Sequence, residues 1–364
     1  MKIAQVAPLM ESVPPRLYGG SERIASYLTE ALVAGGHDVT LFASGDSITA
    51  ANLDACCPQA LRLCEGVLDP TPHYMVMLDK VRRRAHEFDI IHFHIDQFQF
   101  PLFRDLSRRA VTTLHGRQDL PDLYPLYMHF REMPLISISN AQRAPVPNAS
   151  FVATVQHGLP ADLLPRSLYS HGGYLAFLGR ISPEKRADRA IRIARAVGLP
   201  LKIAAKVDKV DSEYFRKEIE PMLASADAEF VGEINERQKA RFLGDSRALL
   251  FPIDWPEPFG LVMIEAMACG TPVLAFKRGS VPEVIDDGVT GYIVEDEDEA
   301  VRKMGALLAI DRAAVRRRFE SRFTAERITK DYVKVYKKLL AEAEPLQRTR
   351  PMLVNGNLAV QELT

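Results

Sequence analysis

Four ionisable side chains carry most of the chemistry legible in this sequence. Glu257 and Glu265 sit in the stretch D-W-P-E-P-F-G-L-V-M-I-E-A-M-A-C-G-T-P-V, from Asp254 to Val273, and Arg180 and Lys185 sit in G-R-I-S-P-E-K. Carboxylates accept hydrogen bonds from hydroxyls, and an Arg and a Lys around one turn can converge on phosphate oxygens. Leu261 to Ala268 is rich in good helix formers and lacks strand alternation, and Gly270 and Pro272 supply the expected stop. A helix starting near Phe259 or Gly260 would point its free amides and positive dipole end at the loop that carries Glu257, an arrangement suited to anions and phosphate above all. Glu265 then lies roughly 6 to 9 Å further along the axis at 1.5 Å per residue. The two carboxylates can therefore grip different parts of one extended ligand. Taken singly, each glutamate is better explained as a solvated charge, and the same holds for the Arg and the Lys.

These residues need strands and helices to hold them. Ala248 to Phe251 is a short apolar run suited to a buried strand, and Tyr174 to Leu178 another, leading into Gly179-Arg180. Ser182-Pro183-Glu184-Lys185 predicts an N-capped helix start with proline at its first position. Further strands are expected at Leu201 to Ala205, Glu229 to Val231 and Val273 to Phe276, with helices between. The first half runs the same alternation: strands at Ile3 to Ala7, Val39 to Ala43, Asp89 to His94, Ala110 to Leu114, Pro134 to Ser139 and Phe151 to Val155. Gly19-Gly20 opens a helix running to about Ala34, and a second helix is expected near Met75 to Glu87. The glycine pair either allows the turn or lets a phosphate or sugar approach bare backbone. His92 and His94 fall on one strand face, and His115 ends a strand where open α/β sheets place ligands, although it serves equally well as a structural histidine. Residues Ser47 to Pro72 have no clear periodicity.

The whole reads as α/β, with two doubly wound Rossmann-like domains. The 364 residues exceed what one core usually spans, and the alternation lapses near Asp162 to Gly173. The expected division is 1–165, 166–324, a helix over 325–343, and a mixed tail over 344–364 that reads as partly disordered. Hydrophobic residues make up 47% and charged residues 26%, with a formal net charge of -1, so nothing points to nucleic acid as a partner. The arginine runs at 82 to 84 and 316 to 318 fit solvated helix faces. Cys56, Cys57, Cys64 and Cys269 have no zinc-type spacing and read as reduced thiols. The opening M-K-I-A-Q-V-A-P-L-M breaks at Pro8 and Glu11, too early for a signal peptide, and no apolar run reaches membrane-spanning length. A cytoplasmic protein is expected, with peripheral contact to the inner face of a membrane left open. Glu295 to Glu299 contains a D-x-D but precedes a helix, so helix-capping acids explain it better than a metal site. No metal is assigned.

With these residues in place, the sequence resembles the retaining GT-B-type glycosyltransferases of the glycogen-synthase-like and mannosyltransferase-like family. The resemblance runs from Gly19-Gly20 through T-L-H-G ending at Gly116, G-R-I-S-P-E-K, and F-V-G-E at Phe230 to Glu233, to the E-x7-E of Glu257 and Glu265. It implies a first domain that binds the acceptor, a second that binds a nucleotide-diphosphate sugar as donor substrate, and a terminal helix that crosses back to the first domain. No cofactor is implied. Arg180 and Lys185 would hold the diphosphate, Glu265 the ribose, and Glu257 the sugar hydroxyls. Backbone at Phe259, Gly260 and Leu261 would add contacts, Glu233 and Ile234 would border the base, and Gly19 and Gly20 would approach the phosphates. His115 would contact the donor sugar near the reacting centre. The implied reaction is metal-independent transfer, with retention, to a hydroxyl of a glycan, lipid-linked or small-molecule acceptor, as in polysaccharide biosynthesis. An epimerase of the same shape, or a catalytically silent nucleotide-sugar-binding protein, would share most of these features. Oligomeric state is not legible.

Overall fold

The structure, a computed structural model, describes residues 1–16, 19–165, 171–224 and 227–343. The expected tail over 344–364 lies outside the described residues.

Seven parallel strands form the first sheet: β1 (Lys2–Val6), β2 (Asp38–Ser44), β3 (Asn52–Cys57), β4 (Ile90–Phe93), β5 (Ala110–Thr113), β6 (Leu135–Ser137) and β7 (Phe151–Thr154), in the order β3-β2-β1-β4-β5-β6-β7. Six more form the second: β8 (Leu175–Ile181), β9 (Leu201–Val207), β10 (Ala228–Gly232), β11 (Ala248–Phe251), β12 (Val273–Phe276) and β13 (Gly291–Val294), in the order β10-β9-β8-β11-β12-β13. Inner strands such as β4 and β11 are buried along their full length. That is the condition of parallel strands covered by helices on both faces, and it is why they appear in sequence as unbroken apolar runs. Each sheet reverses its strand order once, between β1 and β4 and between β8 and β11. Loops leaving the carboxyl ends at such a reversal form a crevice.

The edge strand β3 lies in the stretch that lacks periodicity, and the reason is its solvent exposure: Asn52, Leu53 and Ala55 are open to water, so no apolar run marks it. The turn after β8 also differs from expectation. Lys185 and Arg186 amides donate to the Ser182 carbonyl, Arg186 takes the left-handed φ of 57°, and the helix starts only at Ala187. Ser182 is buried, and the residue preceding the helix is Arg186, so Ser182 does not cap it. The closed turn delivers Lys185 to the Glu257 carboxylate, ahead of the helix start.

Eight helices of eight or more residues are described: α1 (Gly20–Ala34), α2 (Thr71–Arg84), α3 (Ala187–Ala196), α4 (Glu236–Gly244), α5 (Leu261–Ala268), α6 (Glu297–Leu308), α7 (Arg312–Arg322) and α8 (Ala325–Ala343). Asp296 caps α6 by accepting from the Glu299 amide at 2.8 Å, which accounts for the acidic run. Helix α8 buries Ile328, Tyr332, Val335, Tyr336 and Leu339, one helical stripe, among Ile3, Ile90, Val111 and Ile136 of the first sheet. Each such side chain contributes roughly 1.5–3 kcal/mol on burial. No helix among the described residues is long and apolar enough to cross a membrane.

Candidate active site

The two sheets present their carboxyl ends to one cleft of about 450 Å³, and every site residue singled out in the sequence lines it. Glu257 follows β11, Arg180 closes β8, and His115 follows β5. From opposite sides, Gly20 at the start of α1 and Leu261 at the start of α5 approach so closely that a Cβ on Gly20 would lie 3.7 Å from the leucine Cδ1. Two helix N-termini therefore border the same space, and their first-turn amides lack intrahelical acceptors. Gly19 must be glycine: at φ 150° its Cβ would sit 2.9 Å from that of Pro15.

Glu257 is 8% exposed, and its Oε2 accepts from the Trp255 indole Nε1–H at 2.9 Å and pairs closely with Lys185 Nζ. The Lys185 ammonium also lies 4.6 Å from the Trp255 ring centroid, a cation–π contact. The backbone beneath is held as firmly, with the Ser280 amide donating to the Glu257 carbonyl at 2.9 Å. Gly279 makes this packing feasible. At φ 52° a Cβ there would lie 2.3 Å from the Glu257 carbonyl oxygen and 2.4 Å from its nitrogen. Gly279→Ala is therefore expected to cost about 2 kcal/mol or more of stability from the left-handed backbone and the clash together. Urea midpoints check the first effect, and turnover measured well below the melting range checks the accompanying displacement of Glu257.

Arg180 is ringed by acids: Glu184 at 2.5 Å, Asp211 at 3.7 Å and Asp208 at 3.8 Å. Burial raises the Asp211 carboxyl above its ordinary range, opposed by the Arg180 charge. Glu265, 4% exposed on α5, accepts from Lys239 Nζ of α4 at 2.6 Å, and Lys239 in turn lies 3.6 Å from Glu236. Glu236 pairs with Arg23 of α1, so a line of alternating charge joins the first domain to Glu265. The Ser139 hydroxyl donates to the Pro258 carbonyl at 2.6 Å, and the Asn140 and Ala141 amides donate to the Glu283 carboxylate at 2.8 and 2.7 Å, adding to the bridges between the two halves.

His115 is partly buried, stacks on His157 with ring centroids 5.3 Å apart, and is bonded through Nε2 to His94 Nδ1 at 2.9 Å. Burial lowers its pKa to about 4. His157 meets Phe259 edge-on at 5.0 Å, so the Phe259 ring turns into the core and only its backbone is free to serve a ligand. Among the described residues no three His, Cys, Asp or Glu side chains are grouped as a metal site would need, and all four cysteines are free thiols.

Sequence reasoning did not single out Glu22, Lys206, Lys239 or His157, all of which line the cleft. Burial raises the Glu22 carboxyl, in the first turn of α1, above its ordinary range. A signal existed for His157, in the H-G-L-P that follows β7. None existed for Lys239, a helix lysine whose burial depends on the distant α5.

Two doubly wound parallel sheets meeting across a cleft, with paired cations and carboxylates at the switch point of the second, define the GT-B architecture. Residues 18–162 match the profile described as Glycosyltransferase Family 4, and residues 167–322 match Glycosyl transferases group 1. Between them the two glycosyltransferase profiles span most of the chain, the group 1 profile covering its second domain. Among curated proteins it is similar to a lipopolysaccharide 1,2-N-acetylglucosaminetransferase of Salmonella typhimurium, 28% identical over 62% of this chain and 64% of that one. It is also similar to a D-inositol 3-phosphate glycosyltransferase of Mycobacterium marinum, 32% identical over 34% of this chain and 27% of that one. The alignment thus spans about a quarter of the one relative and under two thirds of the other. Among solved structures, sucrose-phosphate synthase of Thermosynechococcus elongatus matches with a TM-score of 0.75 at 19% identity, covering 94% of this chain and 99% of that one. HepE of Anabaena, in complex with UDP and glucose, matches with a TM-score of 0.69 at 19% identity, covering 93% and 100%. These structural likenesses concern the fold.

Proposed function

We propose that this protein is a retaining, metal-independent glycosyltransferase that moves a hexosyl group from a nucleotide-diphosphate sugar to a hydroxyl of a glycan, lipid-linked or small-molecule acceptor. The observation that carries the reading is the Lys185–Glu257 pair, set at the carboxyl ends of β8 and β11 beside the N-terminus of α5. An ammonium, a helix N-terminus and a hydroxyl-accepting carboxylate within one small cleft match the three parts of such a donor: diphosphate, its developing charge, and sugar. Glu265, Glu233 and Ile234 line the same cleft, where Glu265 would hold the ribose and the other two would border the base. The relatives named above as transferases support the class of reaction.

In this reading, departure of the nucleoside diphosphate builds negative charge that Arg180, Lys185 and the first-turn amides of α5 stabilise without a metal. The sugar passes through an oxocarbenium-like state, and the departing phosphate takes the acceptor proton on the same face, which retains configuration. No carboxylate serves as a covalent nucleophile.

A thermal-shift screen of UDP, GDP, ADP and TDP sugars comes first. One nucleotide is expected to stabilise the protein by about 2.7 kcal/mol at a hundredfold excess over Kd. Transfer from that donor, followed by NMR, is expected to persist in EDTA and to give product with the donor's anomeric configuration. Inverted product, or activity lost in EDTA and restored by a divalent cation, contradicts the proposal. Inversion at C2 of the donor without any acceptor would favour the epimerase, and tight donor binding without either reaction would favour a silent binding protein.

A further inference from the structure

Behind His115 the first sheet buries a chain of polar side chains that glycosyl transfer does not obviously need. Gln5 of β1, His92 of β4 with His94 just beyond its end, and Thr113 of β5 are wholly or almost wholly buried, and Tyr332 and Tyr336 of α8 close over them. Burying this many polar groups costs stability unless each is satisfied, so their hydrogen-bond directions are tightly constrained.

Those directions can be worked out from the fixed donors and acceptors. Gln5 Nε2 can only donate, and its partner is the Tyr336 oxygen at 3.3 Å. The Tyr336 O–H then donates to His92 Nδ1 at 2.7 Å, His92 Nε2–H donates to Thr113 Oγ1 at 2.7 Å, and the Thr113 hydroxyl donates to the Tyr332 oxygen at 3.2 Å. On the other side, Gln5 Oε1 can only accept, so His94 Nε2 carries a proton and donates it across 2.8 Å. A neutral imidazole carries one N–H. His94 Nδ1 is therefore bare and accepts from His115 Nε2–H at 2.9 Å. That leaves His115 Nδ1 bare as well, sealed from water and without a partner among the described residues. Burial keeps the rings neutral, lowering the pKa of His92 to about 3 and that of His94 well below the ordinary value, with His92, His115 and His157 adding repulsion at His94.

We propose that Tyr336, acting through Gln5 and His94, fixes the tautomer of His115 so that its Nδ1 is a bare acceptor in the cleft wall, one that substrate binding uncovers to take a hydrogen bond from a substrate hydroxyl. Gln5, His94 and Tyr336 are positioning residues, and the terminal helix thereby takes part in the site it never touches. The role given to Nδ1 rests on the reading of the cleft as a glycosyl-transfer site, while the tautomer does not. Turning the Gln5 amide over would reverse every bond in the chain and present an N–H instead of a lone pair. The distances at Tyr336 choose between the two: 3.3 Å to the amide suits an N–H···O bond and is long for O–H···O, while 2.7 Å to His92 Nδ1 suits a phenol O–H donating to a bare ring nitrogen.

Histidine-selective 15N labelling of the full chain, with long-range proton–nitrogen correlation and His115→Gln for assignment, reads the tautomer directly. His115 is expected to be protonated on Nε2 alone. Tyr336→Phe removes the acceptor for the Gln5 N–H and is expected to move a measurable fraction of His115 to the Nδ1–H form, and His94→Leu, which deletes the acceptor itself, to do the same. A wild-type His115 protonated on Nδ1 overturns the proposal, as does a tautomer unmoved in both variants. The wild-type spectrum is decisive even if a variant fails to fold. In whichever variant shifts the tautomer, kcat is expected to fall about tenfold with nucleotide affinity unchanged. An unchanged kcat there would remove the hydroxyl-holding role and leave the tautomer assignment standing.

Discussion

Replacing Lys185 by alanine is expected to lower kcat/KM about a thousandfold and to raise the Kd for the nucleoside diphosphate at least tenfold. Hydrogen bonds from a cation to phosphate in a partly closed site are among the strong ones, and each tenfold in affinity corresponds to about 1.4 kcal/mol. The Lys185 side chain is four-fifths buried, with its ammonium against the Trp255 and Phe251 rings and the Glu257 carboxylate, so bulk salt screens it weakly. Removing it also leaves the Glu257 carboxylate, which is 8% exposed, with the Trp255 N–H as its remaining side-chain partner among the described residues. A carboxylate so stranded destabilises the fold, so part of the loss could come from disorder instead of lost binding. Lys185→Arg separates the two: it keeps the charge and the pairing with Glu257, and should recover most of the stability while restoring binding only in part. Calorimetric titration with the nucleoside diphosphate, alongside urea midpoints, provides the check. Ordinary affinity in a folded Lys185→Ala would remove this residue from the phosphate site.

The alternation of short buried strands with helices was legible because inner parallel strands are apolar on both faces, and E-P-F-G-L-x-x-x-E stood out because a loop carboxylate, a glycine and a helix carboxylate come in one run. Edge strand β3 was not, because half of its residues face water. The helix after Pro183 was placed too early, since Ser-Pro-Glu has the composition of a helix start and only the closed turn ending at left-handed Arg186 decides otherwise. Arg180 and Lys185 looked like equivalent cations. Three acids surround the first and a single buried carboxylate holds the second, a distinction set by residues from Glu184 to Glu257 that no local pattern encodes. The chain behind His115 was least accessible of all. His92 and His94 were seen to share a face, but Gln5 and Tyr336 are 331 residues apart, and hydrogen-bond direction has no sequence signature.

Glu257→Gln should separate binding from catalysis in the opposite sense to Lys185→Ala. Lys185 is paired with Glu257, so a diphosphate has to compete with that carboxylate for the ammonium. The amide keeps the size of the side chain and can still accept the Trp255 indole N–H, but it no longer competes for charge. Affinity for the nucleoside diphosphate alone is therefore expected to stay level or to rise up to about tenfold, as removal of an opposed charge allows. Turnover is expected to fall about 100- to 1,000-fold, because the anion that accepts the sugar hydroxyls, and that faces positive charge developing on the ring, has gone. A loss in kcat without a loss in ground-state binding is the signature of an interaction made mainly in the transition state. Parallel losses in both would mean that Glu257 serves chiefly to place Lys185. The Lys185→Ala, Glu257→Gln double variant tells these apart: if the carboxylate works only through the lysine, adding Glu257→Gln to Lys185→Ala changes nothing further, whereas separate roles at phosphate and sugar give losses in kcat that approach the sum of the two.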